Sequence, residues 1–368
     1  MSRDVTATIN ISALQNNFKL AKNLQPQAKM MAVVKSDAYG HGVIPVAKAL
    51  NETDGFAVSC IDEAQKLRGA GITKKIILLE GVHTADEIDY IASNNMEMVV
   101  HSDWQLQVLM AEKRSLNLKV WIKIETGMNR LGLAPKQAIS AYGKLKSATA
   151  VSSDIGLATH FANADDLNSN HTQQQLHIFA DVLCELNDCK RVSLLNSAGI
   201  MEWGENEIYK QICYGREVWC RPGIMLYGVS PFSEYTAKLQ SVMTLKSRLI
   251  AIKDCACGEC VSYGSRWQAQ RDSRIAVAAI GYGDGYPRHA IDGTPVLVDN
   301  KQVPLSGRVT MDMICIDVTD MPEAKVGNEV VLWGKGLPIE EIAASSDTIG
   351  YELLCGVTRR VRTIYGKE

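Results

Sequence analysis

The sequence predicts an α/β protein: a (β/α)8 TIM-like barrel over residues 1–229, then a smaller, mainly-β domain over residues 230–368. Three observations predict it. In the first part, short apolar runs alternate with amphipathic segments eight times, a pattern that suits a closed barrel better than an open sheet. Reactive residue types stand at the C-terminal ends of those runs, where a barrel keeps its chemistry. Beyond Ser230-Pro231 the chain turns to β-branched runs punctuated by glycine and proline, the texture of a small β domain.

Taken in order, residues 12–24 place Leu14, Phe18, Leu20 and Ala21 at helical spacing and predict an opening helix. The apolar runs follow at 30–35, 55–60, 75–81, 96–102, 118–126, 154–160, 191–197 and 218–221. Helices are predicted between them at 43–50, 62–70, 85–94, 103–114, 135–147 and 172–186. Thr84 and Ser102 are N-cap candidates, and Pro135 suits a first turn. The link 201–215 is the poorest helix. In the second part, strands are expected at 242–253, 274–280, 294–298, 313–318 and 329–333, with one short helix at 338–344.

Bulk properties exclude several classes. A chain of 368 residues has room for two domains. Hydrophobic content of 46% and charged content of 22% are those of an ordinary globular protein. A net charge of -2 gives no reason to expect nucleic acid or an anionic membrane as partner. No apolar run approaches the roughly 18 residues of a membrane helix. Residues 1–5 carry no signal-peptide core, so a cytoplasmic protein is expected. Ten cysteines in such a chain do not read as a disulfide scaffold. Cys255, Cys257 and Cys260 could touch zinc, but a structural site wants four ligands in paired units, and no second pair lies near. A tight corner without metal is the expectation.

The chain is organised around Val34-Lys35-Ser36-Asp37-Ala38-Tyr39-Gly40-His41-Gly42. A lysine at the end of an apolar strand either reaches out to water or serves as an amine that attacks a carbonyl. The two glycines make the backbone turn tightly and open a helix. Further on, Gly127-Met128-Asn129-Arg130-Leu131-Gly132 offers either a solvated loop charge or a planar fork suited to a carboxylate. His160 ends the sixth run and has no H-x-x-x-H partner, so metal binding is not expected. Gly281-Tyr282-Gly283-Asp284-Gly285 follows a strand but opens no helix, which argues against a dinucleotide loop.

The Lys35 segment resembles the cofactor-lysine motif of the alanine racemase family, and the similarity extends over nearly the whole chain. Arg221-Pro222-Gly223-Ile224, Val261-Ser262-Tyr263-Gly264 and Ser306-Gly307-Arg308-Val309-Thr310-Met311-Asp312 carry it onward. The resemblance implies pyridoxal 5'-phosphate held by Lys35 as a Schiff base. It implies a phosphate site made by Tyr39, Ser197, Gly223 and Ile224, with His160 against the pyridine ring and Arg221 facing the ring nitrogen. An arginine does not give up its proton, so the cofactor is kept a weak electron sink. Arg130 would face the cofactor's phenolic oxygen and the substrate carboxylate. Lys123 is a candidate for carbamylation, or a plain strand lysine. Tyr263, from the partner subunit of a homodimer, would take the proton from L-alanine, and Lys35 the proton from D-alanine. Tyr282 and Tyr286 would flank the substrate entrance, and Met311 and Asp312 would close the pocket. Arg359 stands where some relatives carry a phosphate-binding tyrosine and is left outside the site.

The activity so implied is alanine racemisation, supplying D-alanine for peptidoglycan. The alternative is a serine or broad-specificity racemase with the same machinery. An amino-acid decarboxylase of the same barrel would lack Tyr263. A non-catalytic cofactor carrier would end after one domain.

Overall fold

The computed structural model describes residues 3–232 and 238–366. Strand β1 (Thr6–Asn10) comes first, then β2 (Lys29–Val33), β3 (Gly55–Val58), β4 (Lys75–Leu78), β5 (Glu97–Val100), β6 (Lys119–Lys123), β7 (Gly156–Ala158), β8 (Arg191–Ser193) and β9 (Glu217–Cys220). Strands β2 to β9 form the expected closed parallel barrel. The ring shuts where Lys29 pairs with Trp219 and Met30 with Cys220. The strands read as unbroken apolar runs because a barrel strand is covered on both faces. Phe56, Ala57 and Val58 on β3, like Val120 and Ile122 on β6, have no accessible surface.

The helices Ile11–Leu24, Val43–Ala49, Ile61–Gly69, Glu87–Ser93, Asp103–Ala111, Pro135–Lys146 and His171–Glu185 match the predicted segments. The weak link after the seventh run holds two short helices, Ser197–Glu202 and Glu207–Cys213. Asn206 restarts the second by accepting the N–H groups of Ile208 and Tyr209 at 3.0 and 3.2 Å. Ser102 caps its helix as expected, its hydroxyl accepting Gln105 N–H. At the starts of the strands, buried Glu97 on β5 accepts from Arg191 (2.8 Å), Lys75 (3.0 Å) and the Trp121 indole (2.7 Å), filling that end with paired charge.

Past the barrel come β10 (Met243–Cys255), β11 (Cys260–Val261), β12 (Trp267–Gln268), β13 (Ser273–Ala278), β14 (Pro295–Val298), β15 (Lys301–Pro304), β16 (Ile314–Asp317), β17 (Glu329–Trp333) and β18 (Arg362–Gly366). One sheet runs β15-β14-β17-β10-β1-β18, and β13 pairs with both β10 and β16. Strand β1 lies antiparallel to β10, with Thr6 opposite Lys246, and parallel to β18, with Thr6 beside Arg362. The first strand of the chain thus completes the C-terminal sheet.

By compactness, one unit holds Asn17–Ala38 and Gly42–Leu226, and the other Met1–Asn16, Tyr39–His41 and Tyr227–Glu368. A single cut between residues 229 and 230 does not express that exchange, because β1 pairs with strands more than two hundred residues away. The Cys255 corner is apolar packing: Cys255, Ala269 and Ile275 meet Val261, Trp267 and Cys315. Among the described residues, no helix is long and apolar enough to cross a membrane.

Candidate active site

Lys35 lies two residues past β2, at the C-terminal end of the barrel strands. Ser36, Asp37, Ala38 and Tyr39 then take φ values of 54°, 52°, 55° and 52°, and Gly40 and Gly42 continue at 78° and 84°. This is a left-handed turn, where the sequence promised only a tight one before a helix. For non-glycine residues that conformation costs about 1–2 kcal/mol each, so its surroundings must enforce it. Glu63 accepts Ser36 N–H at 2.7 Å, and Val34 O accepts Ala38 N–H at 2.9 Å. Asp37 accepts Val43 N–H through its carboxylate (2.8 Å) and Gly42 N–H through its carbonyl (2.9 Å). The expected helix then opens at Val43.

Around the same barrel mouth, cations gather. Arg221, one residue past β9, is buried at 7% exposure. Its guanidinium donates to Ser193 Oγ (2.5 Å), Thr159 O (2.6 Å) and Leu194 O (3.1 Å) and meets His160 Nδ1 at 3.4 Å. An arginine can only donate, so Nδ1 accepts and the His160 proton sits on Nε2. Burial, then the charges of Arg221, Lys123, Arg130 and Lys35, hold the His160 ring well below its ordinary pKa, and it is neutral at pH 7. Burial also pushes Arg221 down to about 10, which leaves it charged at neutral pH. Lys123, at the end of β6, is pushed down to about 8 by burial first and then by Arg221, Arg130 and Lys35, with Glu125 opposing.

Ser197, 5% exposed, forms the next corner. Its Oγ accepts the N–H groups of Gly223 (3.0 Å) and Met225 (3.3 Å), which brackets Ile224. Lys35, Lys123, Arg130, His160, Arg221, Ser197, Gly223 and Ile224 therefore belong to one unit, at the ends and loops of its strands.

The remaining expected residues lie in the other unit. Tyr39 is buried against Tyr227 (4.8 Å between ring centroids) and Tyr351 (6.2 Å). Burial raises its pKa, so its hydroxyl stays a donor. Tyr263 stands on the turn after β11 with 72% of its surface exposed. The turn is left-handed at Ser262 (φ 67°), Gly264 (75°) and Ser265 (49°), and Ser262 Oγ donates to Arg308 O at 2.7 Å. Met311 is 52% exposed, and its carbonyl accepts Gly283 N–H at 2.9 Å. Asp312 pairs with Arg360 at 2.5 Å, which holds its carboxyl below the usual range. Tyr282 is 39% exposed. Tyr286, expected beside it, is instead 1% exposed and stacks on Trp333. It anchors the turn from inside.

Several residues of this architecture escaped the sequence. Arg3 grips the fully buried Asp284 with two 2.8 Å bonds and so braces the Gly281–Gly285 turn. Burial would raise the Glu125 carboxyl, but the N–H groups of Asn129, Gly127, Met128 and Arg130 outweigh it and hold it below the usual range. His101 follows β5 one position beyond the Val100–Ile122 pair, beside Lys123. Their signals were faint: a charge near the N-terminus, a carboxylate two residues before a glycine, and a strand-end histidine, each common in any chain.

Comparison with known proteins agrees with the motifs. The family model for the alanine racemase N-terminal domain matches residues 9–231, and that for the alanine racemase C-terminal domain matches residues 242–365. The alanine racemase of Chromohalobacter salexigens is 45% identical over 99% of this chain and 98% of its own length. The biosynthetic alanine racemase of Pseudomonas aeruginosa superposes with a TM-score of 0.92 at 41% identity, over 99% of both chains. That of Bartonella henselae, solved with covalently bound pyridoxal phosphate, gives a TM-score of 0.85 at 27% identity over 98% of this chain and 99% of its own. The same fold, the two matched domains and the identity over nearly the whole chain lead to one conclusion: the chain belongs to the alanine racemase family of isomerases.

Proposed function

We propose that this chain interconverts L-alanine and D-alanine on pyridoxal 5'-phosphate, as a homodimer in which each copy completes the other's site. The observation that carries the reading is the crowding of Lys35, Lys123, Arg130 and Arg221 about His160, with Glu125 the carboxylate opposing them at Lys123. Like charges so close in a partly buried site call for an anion. A phosphate monoester and a substrate carboxylate supply that charge, so the donor set fits the cofactor. The covalent cofactor of the Bartonella henselae relative supports the same assignment.

Lys35 is the residue that bonds the cofactor, and the left-handed turn behind it fixes its backbone. Ser197, Gly223, Ile224 and the Tyr39 hydroxyl hold the phosphate. Neutral His160, which meets the Arg221 guanidinium at 3.4 Å, would lie against the cofactor ring and orient Arg221 toward the ring nitrogen. When bound, pyridoxal phosphate draws electrons from the substrate Cα and makes its hydrogen removable as a proton. A charged arginine at the ring nitrogen keeps that withdrawal modest, which favours return of the proton over side reactions. Lys35 serves the face from which D-alanine loses its proton. Tyr263 of the second copy serves the opposite face, which suits a tyrosine left exposed on its own chain. Arg130 binds the substrate carboxylate, aided by Met311 and Asp312, with Tyr282 at the entrance. A closed pocket discriminates by roughly 1–3 kcal/mol per added methylene, and peptidoglycan is the natural consumer of the D-alanine formed.

The test couples D-amino-acid oxidase to the enzyme supplied with L-alanine or L-serine. Rapid signal with alanine and weak signal with serine is the expected result. Equal rates would favour the broad-specificity alternative, and no signal with either would end the reading.

Lys123 belongs to the same proposal. Its amine nitrogen adds to the carbon of carbon dioxide, and the displaced N–H proton passes to water. The product is an anion that pairs with Arg130. Only the neutral amine reacts, and Lys123 becomes neutral as pH rises through about 8. A carbamate carbon signal from labelled bicarbonate should therefore grow as pH rises through that value and fade below it. Lys123→Arg should abolish the signal, and its persistence in that variant would move the modification elsewhere.

A further inference from the structure

We infer that Gln175 is a positioning residue: one buried amide on the helix His171–Glu185 ties the loop carrying Arg130 to the strand end carrying His160. The two loops are then held as one body. The activity arm of the test rests on the proposed function; the contacts themselves do not.

Gln175 has no accessible surface. Its Oε1 accepts Ala162 N–H at 2.9 Å, and its Nε2 donates to His160 O at 3.0 Å and Thr126 Oγ1 at 2.9 Å. The amide can face only one way, because a backbone N–H must meet its oxygen and a carbonyl its nitrogen. The hydroxyls beyond it are fixed in the same manner. Thr159 Oγ1 donates its single proton to Ile124 O at 3.0 Å. In the 2.7 Å contact between the two threonines, Thr126 is therefore the donor, and it accepts from Gln175. The result is a one-way chain from the helix through Thr126 and Thr159 to the backbone of the strand that leads into the Arg130 loop.

Both ends reach the site. Thr159 O takes the Arg221 guanidinium at 2.6 Å, and the next residue is His160. On the other side His171, at the start of the same helix, meets Gly127 O through Nε2 at 3.1 Å, while Glu125 accepts Gly127 N–H at 2.5 Å. Gly127 has φ 144°, and a Cβ there would sit 3.0 Å from His171 Nε2, so the close approach needs glycine. None of these three bonds of the Gln175 side chain supports its own helix. A leucine would fill so buried a position without the cost of burying an amide. What the amide adds is the join between the two loops.

Two substitutions of Gln175, one of them combined with Arg130→Lys, test this. Hydrogen exchange on the cofactor-free protein should show residues 125–131 and 159–164 losing protection together in Gln175→Leu. Loss in one segment alone overturns the shared support. In turnover, Gln175→Leu should lower kcat for alanine roughly tenfold to hundredfold, the scale of a misplaced catalytic geometry. Arg130→Lys should then cost much less when added to that variant than it does in the parent, because the pair acts as one unit. Losses that simply multiply point to general loosening and overturn the inference. Gln175→Glu keeps the shape, and in its acid form it can both accept from Ala162 and donate. Its kcat/KM relative to the parent should rise as pH falls, and a flat ratio overturns the inference even if the leucine variant does not fold. Absence of racemase activity in the parent would end the proposed function while leaving the exchange result to decide this inference.

Discussion

Lys35→Ala is expected to reduce alanine racemisation by roughly 10⁴-fold or more, since it removes both the covalent hold on the cofactor and one of two proton carriers. The visible absorbance of lysine-bound cofactor should vanish with it. In the parent protein, borohydride should fix the cofactor to the peptide containing Lys35 and stop turnover. The fold should survive the change. The left-handed turn begins at Ser36, and its bonds run from backbone groups to Glu63, Val34 and Asp37, none of them through the lysine side chain. An unaltered circular dichroism spectrum with lost colour is thus the expected pair of results. Full activity and persistent colour in Lys35→Ala would sink the assignment.

Tyr263→Phe is the second large effect, with kcat/KM falling by about 10²–10⁴, the usual worth of a positioned acid or base. The cofactor should remain bound, because the phenol belongs to a turn in the other unit and its ring is exposed on its own chain. The loss must be equal in both directions, since mirror-image alanines have equal free energy and the equilibrium fixes the ratio of the two kcat/KM values. Asymmetry appears instead in heavy water. D-alanine should keep exchanging its Cα hydrogen through Lys35, while exchange from L-alanine falls with racemisation. Equal exchange from both enantiomers would show that Tyr263 does not serve one face. Dilution to monomer should weaken the parent enzyme in the same sense, as the proposal draws the phenol from a second copy.

Much of this was legible in the chain. The barrel strands announced themselves because a strand covered on both faces must be apolar throughout, and that is a local property. The helix Ile11–Leu24 and the Ser102 cap were readable for the same reason. Strands β1 and β18 were not. Each is short, and each owes its existence to pairing with a strand at the far end of the sequence. The resemblance put Tyr286 beside the entrance, whereas here the turn wraps around its ring and Trp333. Arg3 gave only a faint signal and Gln175 none, since the groups they bond lie elsewhere in the sequence.

By itself the sequence determined the barrel, the β-rich second part and the motif residues that mark the family, because apolar runs and short motifs are written over a few neighbouring positions. Only the tertiary structure decided the left-handed turn behind Lys35, the neutral tautomer of His160 and the amide that joins two loops. Each of these depends on hydrogen bonds and charges between groups distant along the chain, and a one-dimensional pattern does not encode which of them meet.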